Sequence, residues 1–275
     1  MLQTGNRIPG KTLRVIQVGA QERDGTDVKA GTISLGLWHI EPGHHREVCQ
    51  WHDADHKPEV LGTTPNVFIS QRWVATPAMV AARPSGRLAD GGGEYVNLYW
   101  TTGSPDELGR DFQALGARLT ELGRMEPNAY IHTSWRTRTS PGPLHARPDQ
   151  VLSAEAVAAS PVNSGMLVVI NDVPAGPHRD DYVRWRQTER VPMILGTGLF
   201  NGAVTLTGSD PERQNHVVEL LYTDVDDPTA AYIELQKLLA DWSKTGREFP
   251  DVNQVRTKLH SSMYTNSIGR YEFYD

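Results

Sequence analysis

The sequence predicts an α+β fold made of two ferredoxin-like βαββαβ units in tandem, their sheets packed face to face into one intramolecular barrel. Three observations carry this. Residues 51–63, WHDADHKPEVLGT, return at 185–197 as WRQTERVPMILGT, with Trp, Pro, Leu, Gly and Thr in the same register 134 positions on (51 to 185). The order of strand-like and helix-like segments is the same in both halves. The later match of LGR (122–124) with TGR (245–247) lies 123 positions apart, and the Pro/Gly-rich loop 77–93 of the first half takes up the difference, as loops do.

In the first half, GTISLGLWHI (31–40) alternates and is β-branched, a strand. A polar turn, EPGHH, leads into a helix over 46–61 that ends near Gly62. NVFISQRWVAT (66–76) and EYVNLYWTT (94–102) are strands on either side of the Pro/Gly loop. Ser104, Pro105 and Glu107 make a capping box ahead of a helix with apolar Leu108, Phe112, Leu115, Leu119 and Leu122. NAYIHTSWRTRT (128–139) closes the unit as a strand.

The second half replays this with a strand at 165–172, a helix at 180–195, strands at 199–208 and 215–224, a helix at 227–247 and a final strand from 254. Such a unit covers one sheet face with helices and leaves the other bare, so two units solve the problem by facing each other. The expected domains are unit 1 at 31–138, a linker at 139–163 with a short helix near 153–159, unit 2 at 164–275, and an N-terminal extension at 1–30 whose TLRVIQVGA adds an edge strand.

Composition narrows the function. A net charge of −6 argues against a general nucleic-acid binder. No apolar run reaches membrane-span length, and no secretory signal pattern opens the chain. The single cysteine, Cys49, excludes an internal disulfide and fits a cytoplasmic location. The partner expected is a small molecule, with a homodimer through an outer edge or helix face left open.

Trp51, His56, Pro58 and Leu61 fit a W-x-x-x-x-H-x-P-x-x-L pattern, and the second copy keeps Trp185, Pro192 and Leu195 but has Arg190 for the histidine. In these residues the chain resembles the dimeric α/β-barrel superfamily, in particular its EthD-like members. The resemblance implies a pocket between helices and sheet, but not one reaction, because this fold hosts many.

On a helix, His52 and His56 stand one turn apart beside Trp51 and Asp55. His56 is the expected acid–base, His52 a second acid–base or anchor, and Asp55 the group that orients a ring. The alternative for both histidines is structural, with His52 half-exposed and His56 bracing the helix end. With period two, Tyr130, His132, Ser134 and Arg136 share a face of the fourth strand, as do Asn97 and Tyr99 on the third and Ser70 and Arg72 on the second. Tyr99, Tyr130, His132, Arg72 and Trp51 are the expected substrate contacts, their aromatic content suiting an aromatic or polyketide-like ligand. His-x-x-x-His is also metal spacing, with His44, His45 or Glu59 as a third ligand, but the glutamate of zinc proteases is replaced by Asp53, and solvated turn residues explain His44 and His45 better.

The leading expectation is thus an enzyme working without a cofactor by acid–base chemistry, a lyase (dehydration, decarboxylation or C–C cleavage) or a cyclase or isomerase. One alternative is a heme-binding oxidoreductase of the same barrel, with His56, His132 or His216 as ligand. Another is a binding protein without catalysis.

Overall fold

The computed structural model describes residues 29–83, 93–160, 163–208, 214–250 and 256–265. The edge strand expected at 12–20 lies outside these residues. The first unit runs β1 (Thr32–Ile40), α1 (His45–Trp51) continuing through a π-turn into α2 (Lys57–Thr63), β2 (Val67–Val74), a short α3 (Pro77–Ala81), β3 (Tyr95–Thr101), α4 (Pro105–Glu121) and β4 (Ile131–Thr139). The capping box at α4 forms as read: the Ser104 N–H donates to Glu107 (2.8 Å) and the Glu107 N–H to the Ser104 hydroxyl (3.3 Å).

In the linker, β5 (Leu144–Ala146) precedes α5 (Ala154–Ala159), which Ser153 caps. The second unit has β6 (Gly165–Asp172), α6 (Pro177–Trp185) continuing through a π-turn into α7 (Val191–Leu195), β7 (Gly202–Thr207), β8 (His216–Thr223), α8 (Pro228–Lys244) and β9 (Arg256–Thr265).

Hydrogen bonding orders the strands β4-β1-β3-β2-β9-β6-β8-β7-β5. Each unit therefore forms a four-stranded antiparallel sheet of ferredoxin-like order, and the two meet at a short β2–β9 contact, Trp73 opposite Thr265 and Val74 opposite Tyr264. The linker strand β5, unforeseen in the sequence, extends the second sheet at β7.

The alternation of each strand sorts its side chains. Leu35, Leu98 and Trp100 from the first sheet meet Val168, Leu220 and Tyr222 from the second in one buried cluster, the barrel interior. The opposite faces carry the helices: Val60 and Leu108 pack on Val67 and Tyr99 in the first unit, Ile194 and Leu235 on Leu167 and Leu221 in the second. Truncating an interior leucine such as Leu35, which is fully buried, would cost about 2–5 kcal/mol. Among the described residues no helix is long and apolar enough to cross a membrane.

Candidate functional site

The first helix does not keep one geometry throughout. His52–His56 is a π-turn, a widened segment between α1 and α2, and Arg186–Arg190 is a π-turn at the matching place in the second unit. Such insertions are often found at functional sites. In the first unit the wide turn sends His52 inward, where it is fully buried against the edge of Trp38 (ring centroids 5.1 Å apart). The structural alternative of a half-exposed His52 is therefore excluded.

His52 sits in a chain of hydrogen bonds. Its Nδ1 lies 3.3 Å from Asp53 Oδ1 and its Nε2 lies 3.2 Å from the Tyr99 hydroxyl. Asp53 is held in turn by Arg72, whose Nη2 donates to Oδ2 at 2.5 Å and Nε to Oδ1 at 3.2 Å. Burial alone would raise the Asp53 carboxyl, but the hydrogen bonds from His52 and Arg72 outweigh it and hold the group well below the carboxylate range. An ionised Asp53 fixes the ring: Nδ1 carries the proton toward the carboxylate, leaving Nε2 to accept from Tyr99. Burial lowers His52, so it is neutral, and burial pushes the Tyr99 phenol up to about 12 against the opposing hydrogen bonding of Asn97 and Ser70.

Tyr99 is also a wall of a cavity of about 510 Å³ between the first sheet, α4 and the turn before β4. Trp38 and Phe112 give this cavity aromatic surface; Asn97, Arg136 and Arg138 give it polarity. Gly36 is part of the wall because a Cβ there would meet the Trp38 indole nitrogen at 2.9 Å; the missing side chain lets the indole lie across the strand. Asn97 Oδ1 is buried without a hydrogen-bond partner among the described residues, an acceptor available to a ligand. The cavity lies beside α4, and His52 reaches it through Tyr99.

The remaining expected site residues are dispersed. Asp55 does not orient a ring; it forms an outer ion pair with Arg124 (2.5 Å), and Asp53 is the carboxylate on His52. His56 stacks on Trp51 (4.8 Å, 20°), its Nδ1 buried without a partner, and burial, then the nearby His52, lowers it to about 4. Trp51 also donates from its indole to the Arg124 carbonyl (2.7 Å). Arg72 is buried on Asp53 and Cys49 and does not line the cavity. His132 is exposed and paired with Glu41 at 2.9 Å, and Tyr130 stacks against His44 (3.6 Å), both away from the cavity. His45, read as a solvated turn residue, is buried and bonded to the Tyr95 hydroxyl at 3.0 Å.

A bulge explains the fourth strand. Leu37 pairs with Trp135 but Trp38 with Thr133, so Ser134 is an extra residue and the alternation inverts past it. Arg136 and Arg138 share the helix side with Gly36 and Ser34, while His132 joins His39 on the opposite side. Strict period two could not reveal this inversion at Ser134.

In the second unit a smaller cavity, about 270 Å³, lies among α6, its π-turn, α7, α8 and the sheet, lined by Tyr182, Trp185, Arg186 and Arg190 with several leucines. Arg186 is ion-paired with buried Glu219.

No protein-family model matches the sequence, and no curated protein does. Solved structures do resemble it. A mutant chlorite dismutase from Candidatus Nitrospira defluvii superposes with a TM-score of 0.52 at 7% identity, over 90% of this chain and 97% of that one. DypB of Rhodococcus jostii RHA1, solved in complex with heme, gives 0.52 at 9% identity, over 90% and 96%. An anthrone oxidase-like protein gives 0.50 at 10%, over 90% and 97%. This likeness shows the fold.

It also corrects one expectation. A protein of this fold has been solved with heme bound, so the fold gives no ground for expecting a chain that works without a cofactor. Whether heme fits here is a matter of ligands. An imidazole-ligated heme needs a histidine facing the space it occupies. Neither cavity wall holds a histidine, cysteine or methionine, and His216, one of the expected ligands, is bonded to the Trp135 indole (2.8 Å). The residues around these cavities do not fit that group. Among the described residues no three His, Cys, Asp or Glu side chains converge as a metal-ligand set.

Proposed function

We propose that the chain is an enzyme that moves a proton on a small aromatic, acidic compound held in the first unit's cavity, with Tyr99 as the group in contact with substrate and His52 as its proton partner. The observation that carries this is the unbroken line Arg72–Asp53–His52–Tyr99, which ends at the cavity wall. As Tyr99 accepts a proton from a substrate carbon or hydroxyl, its own phenolic proton passes to His52 Nε2. The imidazolium then faces Asp53, and the reverse movement returns the proton to another atom or follows loss of a leaving group. Isomerisation and elimination share this first step. Arg136 and Arg138 suit a carboxylate or the oxyanion formed by deprotonation, and Trp38 and Phe112 suit an aromatic ring. His56, neutral beside Trp51, supports the helix in this reading and does not touch substrate.

Solvent deuterium exchange tests the reading. A panel of enolisable aromatic keto acids in deuterium oxide, followed by proton NMR, is expected to include a compound whose α-proton is exchanged by the wild type and not by Tyr99→Phe. Exchange by the wild type and Tyr99→Phe alike would exclude the assignment.

The second reading, a heme-binding oxidoreductase, draws on the likeness to the DypB heme complex. His56 is the histidine that this reading favours, because its neutral ring has a buried, unpartnered Nδ1. Hemin titration decides it: a Soret shift at one equivalent that His56→Ala abolishes would favour heme over the proton-transfer reading. A spectrum unchanged from free hemin would remove it.

A further inference from the structure

The second cavity contains a charge that the first unit's chemistry does not use. Arg190 is 5% exposed, yet its Nε and Nη1 have no hydrogen-bond partner among the described residues. A buried guanidinium with unanswered donors is costly to a fold unless something completes it. What surrounds it is aromatic: the ring of Trp185 at 4.8 Å and that of Trp242 at 5.3 Å. Of the nearby carboxylates, Glu219 is engaged by Arg186, and Glu248 stands at the wall with no ion pair among the described residues. Burial first, then Arg186, pulls Arg190 down to about 10, with Glu248 and Tyr182 opposing; the guanidinium still carries its full charge at neutral pH.

Leu167, Val169, Ile194, Leu221, Leu235 and Leu239 make one part of the wall apolar, beside the polar side chains of Asn171, Tyr182, Gln236 and Thr257. We propose that this cavity is a binding site for a small apolar carboxylic acid, monocyclic or of medium chain length, its carboxylate on Arg190 and its hydrocarbon against the leucines. A free inorganic anion would leave the apolar wall unused, and a cation would meet two arginines. The volume of about 270 Å³ limits the ligand to one ring or one short chain. The site is separate from the Tyr99 cavity, so its test stands apart from the proton-transfer reading.

Isothermal titration of the full chain with phenylacetate and octanoate, and with 2-phenylethanol and octanol, tests the site. At least one acid is expected to bind about 10- to 100-fold tighter than its alcohol, the range of a charge-assisted hydrogen bond. Arg190→Met should erase that preference while Tyr99→Phe keeps it, and Glu248→Gln should tighten acid binding by removing a competing negative charge. Equal binding of acid and alcohol, no binding of either acid, or a preference that survives Arg190→Met would overturn the proposal. So would weaker acid binding in Glu248→Gln, a result that does not depend on how well Arg190→Met folds.

Discussion

The two units put different chemistry on the same scaffold positions. Sheet register aligns them: Tyr99 lies between Ser34 and Ser70, as Leu221 lies between Leu167 and Ala203. One pair along, Asn97 lies between Gly36 and Arg72, as Glu219 lies between Val169 and Thr205. Each unit buries one arginine–carboxylate pair between helix and sheet, but with the partners exchanged. In the first the strand gives Arg72 and the helix Asp53; in the second the helix gives Arg186 and the strand Glu219. The exchange matters because it leaves room for His52 to stand between Asp53 and Tyr99. In the second unit the helix position of His52 is itself the arginine, and an apolar Leu221 stands where Tyr99 would be. One unit therefore has a hydrogen-bonded line to a cavity wall, and the other has fixed positive charge.

The difference between the units should show most strongly in kinetics. Tyr99→Phe and His52→Ala should each lower proton exchange about 10²–10⁴-fold, the range for a lost acid–base group, with Arg190→Met unchanged. Deuterium exchange rates measured side by side check this. An equal loss in Arg190→Met would assign the reaction to both units.

Next come the exchanged pairs. Arg72→Met and Arg186→Met each strand a buried carboxylate and should cost about 3–5 kcal/mol in urea unfolding. Replacing Glu219 as well, by Leu, should recover most of that in the second unit. Replacing Asp53 by Leu should recover less in the first, because His52 then loses its own partner.

The pH dependence of stability separates the units further. His52 and His56 are held below the ordinary value of 6.5 mainly by burial, His56 at about 4. Unfolded histidines protonate first as pH falls, so stability should be full above about 6.5 and decline below it, with the share due to His56 levelling off once that ring protonates near 4. The slope should approach about 1.4 kcal/mol per pH unit for each histidine. Urea midpoints across this window test it, and the slope should shrink in His56→Ala. Arg186 and Arg190 contribute nothing there.

The smallest effect belongs to Asp55. Its ion pair with Arg124 is more than a third exposed on both sides, so Asp55→Asn should cost under about 1 kcal/mol and leave exchange unaltered.

The tandem architecture was legible because it depends on periodicity and on repeated residues: Trp51 and Trp185, Pro58 and Pro192, and the capping box at Ser104 all mark real elements. The site was legible only in part. Tyr99, His52 and Asn97 follow from facing and chemistry. Asp55 was read as the ring's partner because ideal helical spacing ignores the π-turn, which nothing in WHDADHKP announces. His132 and Tyr130 were placed with the substrate because a single bulge at Ser134 cannot be seen in an alternating string. Arg190 stood out only as the residue in the histidine's place, since a sequence does not show which arginine a helix buries. Local deviations from ideal geometry, each only a residue long, thus account for most of what the sequence left unread.

A structure of the chain bound to a compound that it exchanges would decide whether Tyr99 meets the substrate. The expected result is the compound's ring between Trp38 and Phe112, with the exchanging atom within about 2.6–3.2 Å of the Tyr99 oxygen or one water away. The same compound found only against Arg190 or beside His56, with the Tyr99 cavity empty, would contradict it.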